Sequence, residues 1–573
     1  MAEHVKVGTV EELDAQGWLA GKAGSQPICV FASEGQLFAL DDRCPHMGFP
    51  LHRGSVESGL LTCHWHNARF DLASGGTLDP WADDVRAYPV EVDDGTITVV
   101  VEPDAGRVDY LRRRLEEGLE QGISLVIAKS VLGLLDAGVA VGEIVRIGVA
   151  FGTRYREAGW GAGLTVLTAM ANVVPHLDPA DRGLALVHGL AFVSRDTRGR
   201  PPRFPLLPLG GALPPERLTT WYRRFIETRS ADAAERTLAS AIANDDLNVA
   251  DAMFGAATDH VLLDGGHTID FTNKAFEVLD HLGAPSASEV LPTLVAQTAS
   301  ASRSEEQGSW RYPHDLAGLI STAVAELPGR LATATRGDSF GGVASLAWAI
   351  LSEDPHEVVA SVDDAFAAGA SLEEASRAVA YAAALRMARF HTQNDHADWD
   401  EVHHAFTYAN ALHQAIVRTG SPEVGRGIYH GALRVYLDRF LNIPAARLPT
   451  GPSAGPDELT ELDACWDQEG RVDDAGAIVY RHLAAGGDPG RLIAALGRAL
   501  LTEDADFHWF QTFEAAVRQF HAWPPGSEEG ALILVGAARF LAAHTPTRRE
   551  LSQVVRIATR LRRGEALFED ADG

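Results

Sequence analysis

Cysteine is scarce in this chain, whose 573 residues include only four. Cys29 and Cys465 lie too far apart in sequence to imply a disulfide framework, and Cys44 and Cys63 belong to a motif described below. Positive charge is also in short supply. The chain has 49 Lys and Arg against 78 Asp and Glu, a net charge of −29. This charge argues against nucleic acid and anionic membrane surfaces as partners.

Long apolar runs are missing as well. The most apolar stretch, residues 123–150, is interrupted by Lys129, Asp136, Glu143 and Arg146, so it does not predict a membrane span. The first residues lack the apolar core of a signal peptide. We therefore expect a soluble, cytoplasmic protein with no membrane partner.

Two common catalytic motifs are absent from the sequence. It has no G-x-x-x-x-G-K-[ST] phosphate loop, and its Gly-rich residues 209–212 do not follow a strand within a βαβ unit. It also has no nucleophile elbow of the G-x-S-x-G type. A nucleotide-dependent reductase would therefore have to be a separate protein.

What the chain does contain is a four-ligand pattern near its start. Cys44 and His46 are followed by Cys63 and His66, in the spacing C-x-H-x16-C-x2-H. Two thiolates can hold one iron of a [2Fe–2S] cluster and two imidazoles the other, which is Rieske ligation. The alternatives are a zinc site with two Cys and two His, or unrelated Cys and His on a β surface. Turn-forming residues flank both halves and suit tight ligand loops: Gly48, Pro50, Gly54, Gly75 and Gly76.

The sequence around these four residues resembles a known family. Residues 44–51 and 63–72 are similar to the two cluster loops of Rieske ferredoxins and of the electron-transfer domains of Rieske oxygenases. This resemblance covers roughly the first hundred residues. It implies a [2Fe–2S] cluster held by four ligands: Cys44, His46, Cys63 and His66.

The resemblance also indicates a branch of the family. Respiratory Rieske proteins carry an additional cysteine in each loop, and a disulfide joins the two. Phe49 and Trp65 occupy the matching positions here. The resemblance therefore implies the lower-potential ferredoxin and oxygenase branch, with an external NAD(P)H-dependent reductase or ferredoxin as electron donor.

The pattern of the chain changes near residue 105. Before it, β-type runs at 27–31, 36–40, 68–72, 87–92 and 96–101 alternate with turns such as Glu34-Gly35 and Asp94-Gly95. After it, apolar residues recur at helical spacing, as in Leu111, Leu115 and Leu119. We predict a multidomain α+β chain: a small all-β Rieske domain over residues 1–105 and a large all-α domain over residues 106–573. Pro- and Gly-rich segments predict a linker at 197–215 and a further sub-boundary near 448–456.

The helical region contains similar phrases that suggest internal repeats. Turns rich in small residues open a helix at Asp136, Ala367 and Ala484. Matching helices follow at residues 187–191, 429–433 and 535–538, and a diverged unit is expected around 235–300. This favours a helical array built by duplication, although Ala-rich helices can also look alike by chance.

Histidines recur within these units. Asp259-His260-x6-His267 and Asp395-His396-x6-His403 share one spacing, and the surroundings of His508 match those of His403. His260, His267 and Lys274 also fit the spacing of a single helix face. Polar stripes on bundle helices can build interior sites. We predict a second site lined by five histidines: His260, His267, His396, His403 and His508.

The chemistry of this second site is open at the level of sequence. A metal, an organic substrate or cofactor, and a purely structural role are all compatible with repeated histidines. Glu401-x-x-His404 has the spacing of di-iron bundles, but no second copy occurs at a matching position. The D-x2-H-x4-H-like pattern of Rieske oxygenase catalytic domains is also broken, because Tyr408 stands where its second His would fall. Residues 266–277 are similar to scattered helices of the questin-oxidase-like family of Baeyer–Villiger-type oxygenases.

Two functions follow from these patterns. In the first, the chain is a Rieske oxidoreductase, oxygenase-like, whose cluster passes electrons to a metal, cofactor or small-molecule substrate in the helical domain. In the second, it is a redox-responsive binding or scaffold protein with a Rieske electron-transfer domain and no catalytic centre of its own.

Overall fold

The strands of the chain lie near its N-terminus and form three antiparallel sheets. The computed structural model describes residues 3–24, 26–102, 106–155, 159–211, 213–244, 248–333, 340–392, 396–451, 458–565 and 567. The strands are β1 Glu3–Thr9, β2 Trp18–Ala23, β3 Gln26–Ser33, β4 Gln36–Asp41, β5 Ser55–Glu57, β6 Leu60–Thr62, β7 Arg69–Asp71, β8 Ala87–Tyr88, β9 Val90–Asp93 and β10 Thr96–Val101. Their orders are β1-β10-β9, β2-β3-β4-β8 and β5-β6-β7. A short helix, α1 Val10–Gln16, joins β1 to β2.

Two-residue turns set the register of these strands. Ser33 pairs with Gln36, so Glu34 and Gly35 form the whole turn, and both have positive φ. Asp94-Gly95 between β9 and β10 has the same form, as has Ser58-Gly59 between β5 and β6. Positive φ at both positions is the type I′ geometry that matches strand twist. The two turns predicted from the sequence are thus confirmed.

Helices make up the remainder, so the predicted fold class of a small β domain followed by a large helical domain is confirmed. Helices of the first part are α2 Arg107–Gln121, α3 Ser124–Asp136, α4 Val141–Tyr155, α5 Ala162–Val173, α6 Arg182–Thr197, α7 Pro215–Glu227, α8 Ala231–Ala243, α9 Val249–Thr258, α10 His267–Leu282, α11 Ala287–Val290, α12 Val295–Ser300 and α13 Leu316–Thr333. Those that follow are α14 Val343–Ile350, α15 Pro355–Ala367, α16 Leu372–Ala388, α17 His396–Thr419, α18 Gly427–Leu437, α19 Glu458–Cys465, α20 Val472–Ala484, α21 Pro489–Thr502, α22 Phe507–His521, α23 Glu528–His544 and α24 Glu550–Arg562. None of these described helices is both long and apolar enough to cross a bilayer.

The chain forms two compact units, and the division between them does not fall at residue 105. One unit contains Met1–Ala140 together with Leu551–Gly573, and the other contains Val141–Glu550. Helices α2, α3 and α24 therefore belong with the sheets. In this unit Arg562 forms an ion pair with Asp136, and Arg43 donates to the carbonyl of Glu565. All the described strands end before residue 105 and helices α2 to α24 follow it, but the two compact units divide after Ala140.

The three phrases that suggested repeats each form a helix–turn–helix junction. The turns contain Gly138, Gly369 and Gly486, all with positive φ, and α4, α16 and α21 begin within five residues after them. Glycine adopts this left-handed backbone without the steric cost that a Cβ brings. The shared sequence pattern therefore marks the end of a helix. Duplication of whole units stays a prediction.

We expect limited proteolysis to begin in the segment between α6 and α7. Residues 200–211 and 213–214 contain neither helix nor strand, and the side chains of Phe204 and Leu207 are 86% and 78% exposed. Because a protease needs an extended exposed backbone, chymotrypsin should cut first after one of these two residues. Mass spectrometry of early fragments checks this. A first cut inside a described helix would contradict it. We also expect cleavage near the predicted boundary, at residues 103–107, and at the predicted sub-boundary, 448–456; both segments fall partly outside the described residues, at 103–105 and 452–456.

Candidate functional site

Cys44 and Cys63 each begin a loop built on the same backbone frame. The Cys44 amide donates to the carbonyl of Phe49 (2.8 Å), and the Gly48 amide returns to the carbonyl of Cys44 (2.7 Å). In the second loop, Cys63 donates to Ala68 (2.8 Å) and Asn67 returns to Cys63 (2.9 Å). The fifth residue of each loop needs positive φ, which Gly48 (85°) and Asn67 (62°) provide, since these two residue types tolerate that region.

This frame brings the four predicted ligands into one place. Cys44 and Cys63 are buried and their thiols are hydrogen-bonded to each other, an interaction that lowers the pKa of Cys63 to about 6. The rings of His46 and His66 meet edge to face with centroids 4.8 Å apart. Burial, with help from His66 and Lys129, lowers the pKa of His46 to about 4. His66 is exposed, so one edge of the ligand set faces solvent.

The donor set fits a [2Fe–2S] cluster. Two sulfur and two nitrogen donors are what Rieske ligation requires, and the Nδ1 atom of His46 is buried without a hydrogen-bond partner among the described residues. A single tetrahedral zinc would hold its four donors roughly 3–4 Å from one another. In the described part of the chain, a group of three ligand atoms within 4.8 Å is found at other residues and not at these four. The family match reported below, to a Rieske [2Fe–2S] domain over residues 3–89, favours the cluster over the zinc alternative.

Aromatic rings replace a covalent link between the two loops. Phe49 and Trp65, which occupy the positions of the respiratory disulfide, pack with ring centroids 6.2 Å apart. Trp81 lies against His46 at 4.7 Å. Below them, His52 approaches Asp42, with Nδ1 2.6 Å from the carboxylate. The loops are therefore held together by packing and hydrogen bonds.

Helices α2 and α3 bring charges to the first loop. Lys129 on α3 donates to the carbonyl of Pro45, next to His46, at 2.9 Å, and it also pairs with Asp83. Arg114 on α2 binds the other side of Asp83 at 2.8 Å. Burial works to raise the pKa of Asp83, but Lys129 and Arg114 hold it below its ordinary value. A buried, charged network thus stands beside the ligand loops.

The helical unit brings together three of the five histidines predicted to line a second site. His267 opens α10, His403 lies near the start of α17, and His508 lies in the first turn of α22. His404 joins them, and ring centroids of contacting pairs are 4.2 to 5.6 Å apart. We call His267, His403, His404 and His508 the histidine group.

Three members of the histidine group, His267, His403 and His404, have pKa values below the ordinary range of imidazole. Burial, assisted by His508, lowers the pKa of His267 to about 4. Burial and the neighbouring imidazoles lower the pKa of His404 to about 3 and hold that of His403 well below its usual range. Four imidazoles this close cannot all carry charge in a poorly solvated space, because each charge is both desolvated and repelled. Their ring nitrogens therefore keep lone pairs that can accept a proton, a hydrogen bond or a metal.

Of the other two predicted residues, the structure describes the side chain of His260 alone. His260 is outside the histidine group, with Nε2 2.5 Å from Glu227 and Nδ1 2.6 Å from Glu305. The prediction of one helix face from His260 to Lys274 is wrong, since Leu262 and residues 264–266 have positive φ and end any helix before α10. The side chain of His396 lies outside the described residues, so its predicted role stays a prediction.

Below the histidine group, a buried polar network joins α10 to α22. Lys274 donates to Glu277 at 2.8 Å and to Glu514 at 2.5 Å. Burial opposes the charge on Lys274, but the two carboxylates raise its pKa above the ordinary value. Asp270, which accepts from Gln511, has a pKa raised by burial to about 7. Removing one partner of such a buried set costs about 3–5 kcal/mol, so the network fixes the relative position of the helices.

Comparison with known proteins gives an independent result for the β domain. Residues 3–89 match the family described as Rieske [2Fe–2S] domain. The chain is similar to the anthranilate 1,2-dioxygenase ferredoxin subunit of Burkholderia cepacia, with 34% identity over 102 residues, covering 94% of that protein and 18% of this chain. It is also similar to the 3-phenylpropionate/cinnamic acid dioxygenase ferredoxin subunit of Photorhabdus laumondii subsp. laumondii, with 40% identity over 98 residues, covering 91% of that protein and 17% of this chain.

One solved structure completes the comparison. The ferredoxin of carbazole 1,9a-dioxygenase from Nocardioides aromaticivorans IC177 shares 27% identity and has a TM-score of 0.17, covering 98% of that protein and 17% of this chain. Each of these three proteins therefore matches less than a fifth of this chain.

Substitution of a ligand should remove the cluster. We expect His46→Ala and Cys63→Ala to abolish the EPR signal of the dithionite-reduced protein, because each leaves an iron one donor short. His64→Ala is the matched control, since His64 is exposed in the same loop and has no place in the ligand set. A full-strength signal in His46→Ala would overturn the ligand assignment.

The charges beside the first loop should tune the reduction potential. A unit charge roughly 10 Å away at an effective dielectric of about 20 contributes on the order of 1–2 kcal/mol, which corresponds to tens of millivolts for a one-electron couple. Lys129→Gln should therefore lower the potential, because reduction adds negative charge, and Asp83→Asn should raise it. Redox titration followed by EPR measures both shifts. Lys6 is an exposed residue of β1, so Lys6→Gln should leave the potential unchanged. Shifts of equal sign in the first two variants would contradict the electrostatic account.

Proposed function

The chain belongs, through residues 3–89, to the Rieske [2Fe–2S] domain family, and from this premise we propose that it is an iron–sulfur oxidoreductase that passes electrons to a site at the histidine group. Cys44, His46, Cys63 and His66 would hold the cluster. The cluster would supply one-electron transfer, in the broad window of roughly −150 to +300 mV that imidazole ligation allows.

One observation carries this proposal: four imidazoles converge inside a helical unit that is covalently continuous with an electron-transfer domain. Both ring nitrogens of His403 and the Nε2 atom of His508 are buried without a hydrogen-bond partner among the described residues. Leaving such atoms unpaired costs about 1–3 kcal/mol each. Side chains that pay such a cost as a group are typical of a site that binds something, because a ligand would satisfy them.

The electrons would come from outside the chain. The relatives are named as ferredoxin components of dioxygenase systems, and the sequence lacks the nucleotide-binding motif that a built-in reductase needs. We propose an external NAD(P)H-dependent reductase or ferredoxin as donor. Since the cluster accepts one electron at a time, two successive transfers would be needed to reduce dioxygen or an organic substrate by two electrons.

Reoxidation kinetics test this function. We expect His267→Ala and His403→Ala to keep the reduced-cluster EPR signal, because neither residue is a cluster ligand. Reoxidation of the cluster after anaerobic reduction and mixing with oxygenated buffer should slow by about tenfold or more, equivalent to at least 1.36 kcal/mol in the barrier. Stopped-flow absorbance of the cluster measures the rate.

His521→Ala is the matched control. His521 is also on α22, but it lies at the other end and stacks on His176 with centroids 5.0 Å apart. It should leave reoxidation unchanged. Rates equal to wild type in all three variants, at equal thermal stability, would reject the proposed site and favour the redox-responsive scaffold function.

A further inference from the structure

We propose that His267, His404 and His508 bind a single divalent transition-metal ion. The binding itself is independent of electron transfer, and the role of the ion as electron acceptor rests on the proposed function. Among the described residues this is the group of three in which one ligand atom from each side chain lies within 4.8 Å of the others. Nitrogens bound to one tetrahedral ion stand roughly 3–4 Å apart, at metal–nitrogen distances of about 2.0–2.1 Å. Small side-chain rotations would therefore close the site.

In His404, one ring nitrogen forms a hydrogen bond that leaves the other free to bind a metal. The Nδ1 atom of His404 lies 2.5 Å from the carbonyl of Asp400, so Nδ1 carries the proton and donates it. The Nε2 atom of His404 then keeps its lone pair. In His508, Nδ1 stands 3.8 Å from the carboxylate of Asp506, while Nε2 is buried without a partner among the described residues. Histidine ligands are usually oriented by such contacts to a carbonyl or carboxylate.

The ligand set indicates the class of metal. It consists of three imidazoles, and no carboxylate belongs to the group of three. Imidazole donors suit zinc, copper, iron and nickel, whereas calcium and magnesium prefer oxygen. Three protein ligands also leave a coordination position for water or a small molecule, as catalytic sites do.

Aromatic side chains and a fourth histidine surround the three proposed ligands. Phe271 and Phe507 pack against His267, with ring centroids 5.3 and 5.8 Å from it. His403, fully buried behind His404 and His508, lies 4.2 Å from each ring. It is therefore placed to position the ligands. A structural histidine of this unit looks different: His188 packs beside Phe510 and its Nε2 atom meets the carbonyl of Leu501 at 2.8 Å.

Copper(II) added to the full-length chain tests the proposal. The iron–sulfur cluster is kept oxidised, because it then gives no EPR signal. The EPR spectrum therefore reports the ligands of the copper ion alone. Glycine in the buffer chelates any copper that the protein binds only weakly. We expect one equivalent of tightly bound copper with nitrogen superhyperfine coupling. His404→Gln and His508→Gln should each weaken binding by more than about a hundredfold, since loss of an outer partner alone costs 10- to 100-fold.

The control is again His521→Ala, which should bind copper as wild type does. Thermal unfolding of each apo variant ensures that loss of binding is not loss of fold. Copper binding that is unaffected by His404→Gln and His508→Gln would overturn the metal site. If reoxidation slows in His267→Ala while no variant changes copper binding, the metal inference fails and the proposed function stands. If copper binds as expected but reoxidation is unchanged, the proposed function fails and the metal site stands.

Discussion

Two hydrogen bonds, repeated in two loops, place the chemistry of the β domain. Each loop closes from its cysteine to the residue five positions later and back from the residue four positions later. The sulfur atoms therefore emerge from equivalent points of two equivalent frames, and the histidines follow at offsets of two and three. No covalent link between the loops is needed, because Phe49 and Trp65 pack where a disulfide stands in respiratory relatives. Backbone geometry thus brings the four candidate ligands together.

In the helical unit, contacts between helices bring the candidate site residues together. Side chains of α10, α17 and α22 meet at the histidine group, and further along the same helices Lys274 pairs with Glu514 and Arg418 with Asp280. Seven residues separate His267 from Lys274 and six separate His508 from Glu514, which correspond to roughly 10 and 9 Å of helix rise. The two contacts are therefore in register. The buried Lys274–Glu514 pair thus links α10 to α22 one to two turns beyond the histidine group.

The β domain could be predicted because its motifs are local in sequence. The histidine group depends on contacts between distant helices, which the sequence does not reveal. The cysteine–histidine spacing and the two-residue turns depend on neighbours in sequence, so they could be predicted. His404 could not be placed in the group from periodicity, because adjacent residues on a helix point about 100° apart, and both His403 and His404 reach the site only because other helices surround α17. The prediction that His260 shares a helix face with His267 was wrong because the backbone between them is not helical. Its spacing suggested a helix that the left-handed residues before His267 interrupt.

The compact unit around the β domain shows a constraint that no motif carries. Helices α2, α3 and α24 share a unit with the sheets. Lys129 reaches the carbonyl beside His46, and a Cβ on Gly48 would lie 3.2 Å from Leu561 of α24. Residues more than five hundred positions apart thus constrain one ligand loop, while the loop of His66 stays open to solvent. Because one loop is covered and the other exposed, the two imidazole ligands experience different electrostatic surroundings. Lys129 of α3 thus acts on the surroundings of His46 alone, while His66 faces solvent.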